Sequence, residues 1–167
     1  MKNLKTMMKY RTSIPTRFKI VLAVDPGFDR IGLAVMKLKQ GKPELLFSDC
    51  LKTNPKKSRS ERLLFIGENM RDVIKKWKPE NLAIETLFFN TNITSAIGVA
   101  EARGIIIYEA KKAGMEIFGY GPQTVKIAVT GYGKADKVQM GTMVKKLVDL
   151  PQKSSKRLDD EVDAIAL

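Results

Sequence analysis

The chain has 167 residues, enough for one domain with a hydrophobic core, and its apolar fraction of 44% is that of an ordinary globular protein. A formal net charge of +12 indicates a polyanionic partner, with nucleic acid ahead of an anionic membrane surface; the alternative is a protein kept soluble by lysines. No histidine and one cysteine exclude an intrachain disulfide, a structural zinc site and a histidine-activated nucleophile, and no apolar run is long enough to span a membrane.

The N-terminal part of the chain divides into a basic arm and a strand meander. Residues 1–17 contain no acid and are predicted to form a flexible arm that contacts phosphate, or else a disordered extension. The domain is predicted to occupy residues 18–167. Its first segment, FKIVLAVDPG, is a continuous apolar run typical of a buried strand. RIGLAVMKLKQGKPELLFSDCLKT predicts two more strands, with Gly41 and Pro43 at the turn between them.

Helices and strands alternate after the meander. Ser58 and Glu61 have the spacing of a capping box, and the helix that they begin ends at Pro79. NLAIE predicts a short buried strand. A helix follows from about Ile93 to Ala113, with Gly114 as its cap and with a small-residue face suited to close packing, formed by Ala96, Ala100 and Gly104.

The C-terminal third continues the alternation. MEIFGY predicts a fifth strand, and Pro122 begins a helix that ends at Gly131. KVQMGTMVKKLVDL predicts a helix ended by Pro151, and LDDEVDAIAL predicts a last one. The order indicates an α/β fold: a ribonuclease H-like mixed five-stranded sheet, with a three-strand meander plus parallel strands, flanked by helices.

Four carboxylates are predicted to converge on one edge of this sheet. Asp25 and Glu85 each follow an apolar strand, and ligands collect outside the carboxyl ends of strands in open α/β sheets. Asp160 and Asp163 are three residues apart and share a helix face. Without histidine, any metal must be held by oxygen ligands, which favours magnesium or manganese. Two of these residues also have a structural interpretation, since Asp25 suits a turn and either Asp159 or Asp160 suits a helix cap, whereas Glu85 has few structural uses.

Four segments, in order, resemble the RuvC family of Holliday junction resolvases: VLAVDPGFDRIGLAV, LAIETLFFNTNITSAIGVAEARGI, FGYGPQTVKIAVTGYGKADKVQM and LDDEVDAIAL. The resemblance covers residues 18–167. It implies that Asp25, Glu85, Asp160 and Asp163 are the catalytic, metal-binding residues. The adjacent Asp159 leaves the third position open by one residue. DRIGLAV also resembles the YqgF branch of the same superfamily.

Several residues are candidates for DNA contact. Two aromatic residues follow Glu85, and an exposed aromatic ring can stack on an unpaired base. The family pattern places the exposed ring at Phe88 and leaves Phe89 for the core. Lys126 and Lys137 match basic positions that contact DNA in the family. Further phosphate candidates are Arg103 and Lys134, although a single basic residue is more often only solvated.

The resemblance implies a metal-dependent endodeoxyribonuclease that resolves four-way junctions by symmetric paired nicks and leaves 5′-phosphate ends. It implies two Mg²⁺ per active site, with Mn²⁺ as a substitute, and a homodimer that works with the RuvA–RuvB branch-migration complex in a bacterial cytoplasm. Three alternatives stay open. The first is a nuclease of the same fold that cuts RNA, either of the YqgF type or one that cuts RNA–DNA hybrids. The second is an ATP-binding relative, although the chain is short for the two domains of such proteins. The third is a non-catalytic junction-binding module.

Overall fold

Five strands and five helices make up the described part of the chain. The computed structural model describes residues 20–87, 93–152 and 157–167, so the predicted basic arm lies outside the described residues. The strands are β1 (Ile20–Asp25), β2 (Arg30–Lys39), β3 (Lys42–Lys52), β4 (Asn81–Glu85) and β5 (Glu116–Tyr120). The helices are α1 (Arg59–Trp77), α2 (Ile93–Lys112), α3 (Pro122–Thr130), α4 (Lys137–Leu147) and α5 (Asp159–Ala166).

The strands form one mixed sheet in the order β3-β2-β1-β4-β5. β1, β2 and β3 are antiparallel neighbours, as expected for a meander joined by short turns. β4 lies parallel to β1, and β5 lies parallel to β4, each reached through a helical crossover. The predicted mixed five-stranded sheet flanked by helices is therefore confirmed.

The two faces of the sheet carry side chains of different size. On one face, Leu22 and Val24 pack with large residues of α1 and α2, including Met70 and Ile106. On the other face, Ala23 lies directly opposite Ala34 of β2 and Ala83 of β4. This row of alanines belongs to the cluster that holds Ala164 and Ile165 of α5. Because an alanine occupies little space above the sheet, α5 can pack close to the strands.

Gly32 is the point of closest approach between α5 and the sheet. A Cβ built on Gly32 would lie 1.9 Å from the carbonyl oxygen of Asp160 and 3.3 Å from the Ala164 side chain. Gly32 pairs with Asp25 across the β1–β2 ladder. A glycine at this position therefore fixes where α5 begins, beside the end of β1.

One expectation about helices is corrected. α4 ends at Leu147, short of Pro151, because the backbone at Asp149 bonds to Pro43 and Leu45 beside the start of β3. In α2, Gly104 is exposed, and the buried positions include Ala102, Ile106 and Ala110. The close packing expected of the small-residue face at Ala96, Ala100 and Gly104 stays a prediction.

Other local predictions are confirmed. Ser58 and Glu61 form the capping box of α1. Gly114, with φ of +82°, follows α2, and the amides of Gly114 and Met115 bond back to Lys111 and Ala110 in a Schellman motif. None of the helices in the three described ranges combines the length and apolarity that crossing a bilayer requires.

Replacing Gly32 by alanine should destabilise the protein, because the new methyl group would overlap the backbone of α5. We expect a loss of about 1–3 kcal/mol in unfolding free energy, which lowers Tm by about 2–10 °C. Gly141→Ala is the matched control, since a Cβ there meets no atom within 4 Å. Equal Tm values for the two variants in a thermal melt would contradict the close approach of α5.

Candidate active site

Asp25 and Glu85 lie side by side at one edge of the sheet. β1 ends at Asp25 and β4 ends at Glu85. The two strands are parallel, and Val24 lies directly opposite Ile84 in their register. The next residue of each strand is therefore a carboxylate at the same edge, as the sequence predicted from the apolar runs that precede them.

The start of α5 adds two carboxylates to this edge. Asp25 is flanked by β4 on one side and by Gly32 of β2 on the other, and the Asp160 carbonyl lies over Gly32. Asp163 is one helical turn further along α5 and lines a cleft together with Glu85. The structure therefore brings Asp25, Glu85, Asp160 and Asp163 to one place.

The carboxylates raise one another's proton affinity. The pKa of Asp25 is raised to about 7, first by burial and then by the negative charges of Glu85, Asp163 and Asp160. Burial, followed by repulsion from Asp163, also raises the pKa of Glu85. The pKa of Asp163 is raised by burial, with Asp159 and Asp160 adding to the effect. The negative charges of these carboxylates are therefore only partly balanced by positive charges of the protein itself.

Two predicted DNA-contacting lysines lie beside the carboxylates. Lys126 and Lys137 line a cleft of about 210 Å³ together with Glu85 and Asp163. Lys137 opposes the rise in the pKa of Asp25, and Lys126 opposes the rise in that of Glu85. Both ammonium groups are therefore within electrostatic reach of the carboxylates, at the edge where a phosphate would approach.

Asp159 and Asp160 have different surroundings. The Asp159 side chain is exposed and accepts a hydrogen bond of 3.3 Å from Lys137 Nζ. The Asp160 side chain is 26% exposed, and its negative charge is among the causes that raise the pKa of Asp25. These surroundings favour Asp160 over Asp159 as the residue that acts at the end of β1.

The other predicted DNA contacts that the structure describes, Arg103 and Lys134, do not line the cleft with the carboxylates. Arg103 Nε donates to the backbone oxygen of Glu85 at 3.0 Å, so this arginine holds the end of β4. Lys134 is exposed in the loop between α3 and α4. Phe88 and Phe89 lie outside the described residues.

Sequence reasoning missed two side chains that contact Asp160. The Arg30 guanidinium, at the start of β2, pairs with Asp160 Oδ2. Cys50 Sγ on β3 lies 3.6 Å from the same oxygen. Arg30 lies five residues after Asp25, and in the sequence it belongs only to the DRIGLAV segment, which gives no sign of this contact. Its proximity to Asp160 follows from the packing of α5, which no local pattern encodes.

A divalent cation fits the chemistry of these residues. Carboxylate oxygens are the ligands that Mg²⁺ and Mn²⁺ prefer. Across the described ranges, no three His, Cys, Asp or Glu side chains are arranged to hold one ion together. Mg²⁺ commonly binds through one or two carboxylates and keeps several waters or substrate oxygens. Pairs drawn from the four carboxylates suit that mode of binding.

Comparisons with known proteins find related sequences and structures. The sequence model described as "Crossover junction endodeoxyribonuclease RuvC" matches residues 21–167. A protein of that name from Ruminiclostridium cellulolyticum is 38% identical over 148 residues, 89% of this chain and 88% of the relative. Thermus thermophilus RuvC, solved in complex with a Holliday junction substrate, has a TM-score of 0.81 and 33% identity, with 89% of each chain covered. The yeast mitochondrial resolvase Ydc2, at 14% identity and a TM-score of 0.66, shares the fold.

Asp25→Asn should stabilise the metal-free protein at high pH. A carboxyl whose pKa rises from 3.8 to about 7 on folding is penalised once it ionises, so stability falls as pH rises from about 4 to about 7. At pH 8 the full shift corresponds to at most about 4 kcal/mol, and the asparagine variant should melt several degrees higher. At pH 4 the two Tm values should converge. An equal or lower Tm for the variant at pH 8, in chelator, would show that the ionised Asp25 side chain does not destabilise the folded protein.

Proposed function

The chain belongs to the RuvC family of crossover junction endodeoxyribonucleases, and we propose that Asp25, Glu85, Asp160 and Asp163 form its catalytic, metal-binding centre. The protein is an endodeoxyribonuclease that resolves Holliday junctions in recombination and repair. The observation that carries the site assignment is the convergence of two strand ends and α5 on one group of repelling carboxylates. Metal dependence is typical of the family.

The proposed chemistry is hydrolysis of a DNA phosphodiester to a 5′-phosphate end. When bound, two Mg²⁺ ions, or Mn²⁺ in their place, would activate the attacking water and stabilise charge on the leaving oxygen. The protein's part is to hold oxygen ligands at fixed positions. Asp25 and Glu85 are fixed by the β1–β4 register, and Asp160 and Asp163 by the packing of α5. The raised pKa values favour this assignment, because a cation would stabilise the ionised carboxylates that burial and neighbouring negative charges disfavour.

DNA contacts are proposed on the same side. Lys126 and Lys137 are the best supported, since they line the cleft with two of the carboxylates. Lys134 is exposed and free to contact a phosphate further along the strand. Arg103 keeps N–H groups beyond the one given to Glu85, and these are the proposed donors to phosphate. Phe88 is proposed to stack on an unpaired base at the branch point.

The proposed assembly is a homodimer, because a four-way junction is cut symmetrically on two strands. Ile97, Gly104 and Tyr108 share one face of α2, and all three are exposed, Ile97 by 50% and Tyr108 by 60%. Glu101, which pairs with Arg59, lies on the same face, and the exposed glycine beside it suits close helix packing between two copies. Cooperation with the RuvA–RuvB complex and a bacterial cytoplasmic setting are also proposed.

Cleavage of a labelled four-way junction, beside a linear duplex of the same sequence, tests the proposed function. We expect paired nicks on opposing strands of the junction in Mg²⁺ and none in chelator. Asp25→Asn and Glu85→Gln should lower the cleavage rate by at least about 100-fold while junction affinity is kept, because the ligands are lost and the basic surface is not. Binding without cutting by the wild type would indicate a binding module, and preferential cutting of RNA would indicate the RNA-directed alternative.

Phe88→Ala should slow junction cleavage without a change in thermal stability. The ring is proposed to contact an unpaired base rather than the protein core, and such stacking contributes about 1–3 kcal/mol per base. Cleavage rate and Tm are measured on the same preparation. A Tm loss of the size seen for buried aromatic residues would place Phe88 in the core and remove it from the DNA contacts.

A further inference from the structure

Asp160 differs from the other three carboxylates in its partners. Within the described ranges, Asp160 is the only one of the four carboxylates that forms an ion pair, and its partner is Arg30. Its Oδ2 also lies 3.6 Å from Cys50 Sγ. Asp25, Glu85 and Asp163 are instead influenced by burial, by one another and by the lysines at the cleft. The site thus contains one carboxylate that already has a cationic partner.

Hydrogen bonds, an ion pair and a cation–π contact hold the loop at Phe28 and Asp29, directly before Arg30. Thr53 Oγ1 donates to the backbone oxygen of Phe28 at 2.8 Å, and the Thr53 amide donates to that of Asp29 at 3.0 Å. Arg62, of which 11% is exposed, pairs with the Asp29 side chain and lies over the Phe28 ring at 4.0 Å. The backbone that carries Arg30 is therefore anchored to β3 and α1, while its side chain reaches Asp160.

We propose that Arg30 is a positioning residue that competes with the divalent cation for Asp160. This rests on the proposed function, in which Asp160 is a metal ligand. The guanidinium neutralises Asp160 while the metal is absent, which limits repulsion among the four carboxylates. Its fixed positive charge also opposes a cation at this carboxylate, since arginine does not lose its proton in proteins. Arg30 is 46% exposed, so it can turn toward solvent when the metal takes Asp160.

The competition predicts an unusual direction of effect. Removal of a residue that merely supports the site would weaken metal binding, whereas removal of a competing charge should tighten it. Arg30→Gln keeps a planar hydrogen-bonding group but loses the charge. Arg30→Lys keeps the charge and loses only the fork geometry. The two variants therefore separate the charge of Arg30 from its shape.

The test is calorimetric titration of Mn²⁺ into the metal-free 167-residue protein without DNA. We expect Arg30→Gln to lower the Kd for Mn²⁺ roughly tenfold and Arg30→Lys to stay near the wild type. Arg59→Gln is the matched control, because Arg59 is 47% exposed and pairs with Glu101 away from the carboxylates. Its Kd should equal that of the wild type.

Asp25→Asn is titrated in parallel to separate two kinds of failure. If the wild type binds Mn²⁺ and Asp25→Asn reduces that binding, the metal site stands, and an unchanged or weaker affinity of Arg30→Gln overturns the role of Arg30 alone. If the wild type binds no Mn²⁺, or if Asp25→Asn binds it equally well, the metal site fails and the proposal for Arg30 fails with it. A tighter affinity in Arg59→Gln would also overturn the proposal, because the effect would then follow from net charge.

Discussion

Repulsion among four carboxylates is the main constraint on the structure of this protein. Burial, followed by the negative charges of Glu85, Asp163 and Asp160, raises the pKa of Asp25 to about 7, which costs stability at neutral pH in the absence of a cation. The fold has to supply rigid supports for that arrangement. The parallel register of β1 and β4 supplies two carboxylates, and a helix packed on glycine and alanine supplies the others. Much of the sheet's composition is explained by this requirement.

The small residues on one face of the sheet illustrate how packing places the chemistry. Ala23, Ala34 and Ala83 lie in register across three strands, and Gly32 lies beside them. Larger side chains would lift α5 away from the sheet and carry Asp160 and Asp163 with it. The opposite face of the sheet does not position α5, and it is covered by large apolar residues such as Leu22 and Met70. The two faces thus divide the tasks of stability and of site geometry.

The strand ends were predictable from sequence because they depend on local patterns. Apolar runs ending in Asp25 and Glu85 located the parallel strands, and parallel strand ends meet at one edge. Features that depend on tertiary approach were not predictable. The Arg30–Asp160 pair joins residues 130 positions apart. In α2, Gly98 packs against Phe28 while Gly104 is exposed, and this difference depends on tertiary packing. α4 ends early because a distant strand offers its backbone other partners.

The four carboxylates are proposed to hold divalent cations. Anomalous diffraction from crystals grown with Mn²⁺ tests this most directly, since the positions of the ions are read without assumptions about ligands. We expect anomalous peaks bounded by Asp25, Glu85, Asp160 and Asp163, with Arg30 displaced from Asp160. Peaks elsewhere on the protein, or a peak held by Asp159 with Asp160 still paired to Arg30, would contradict it.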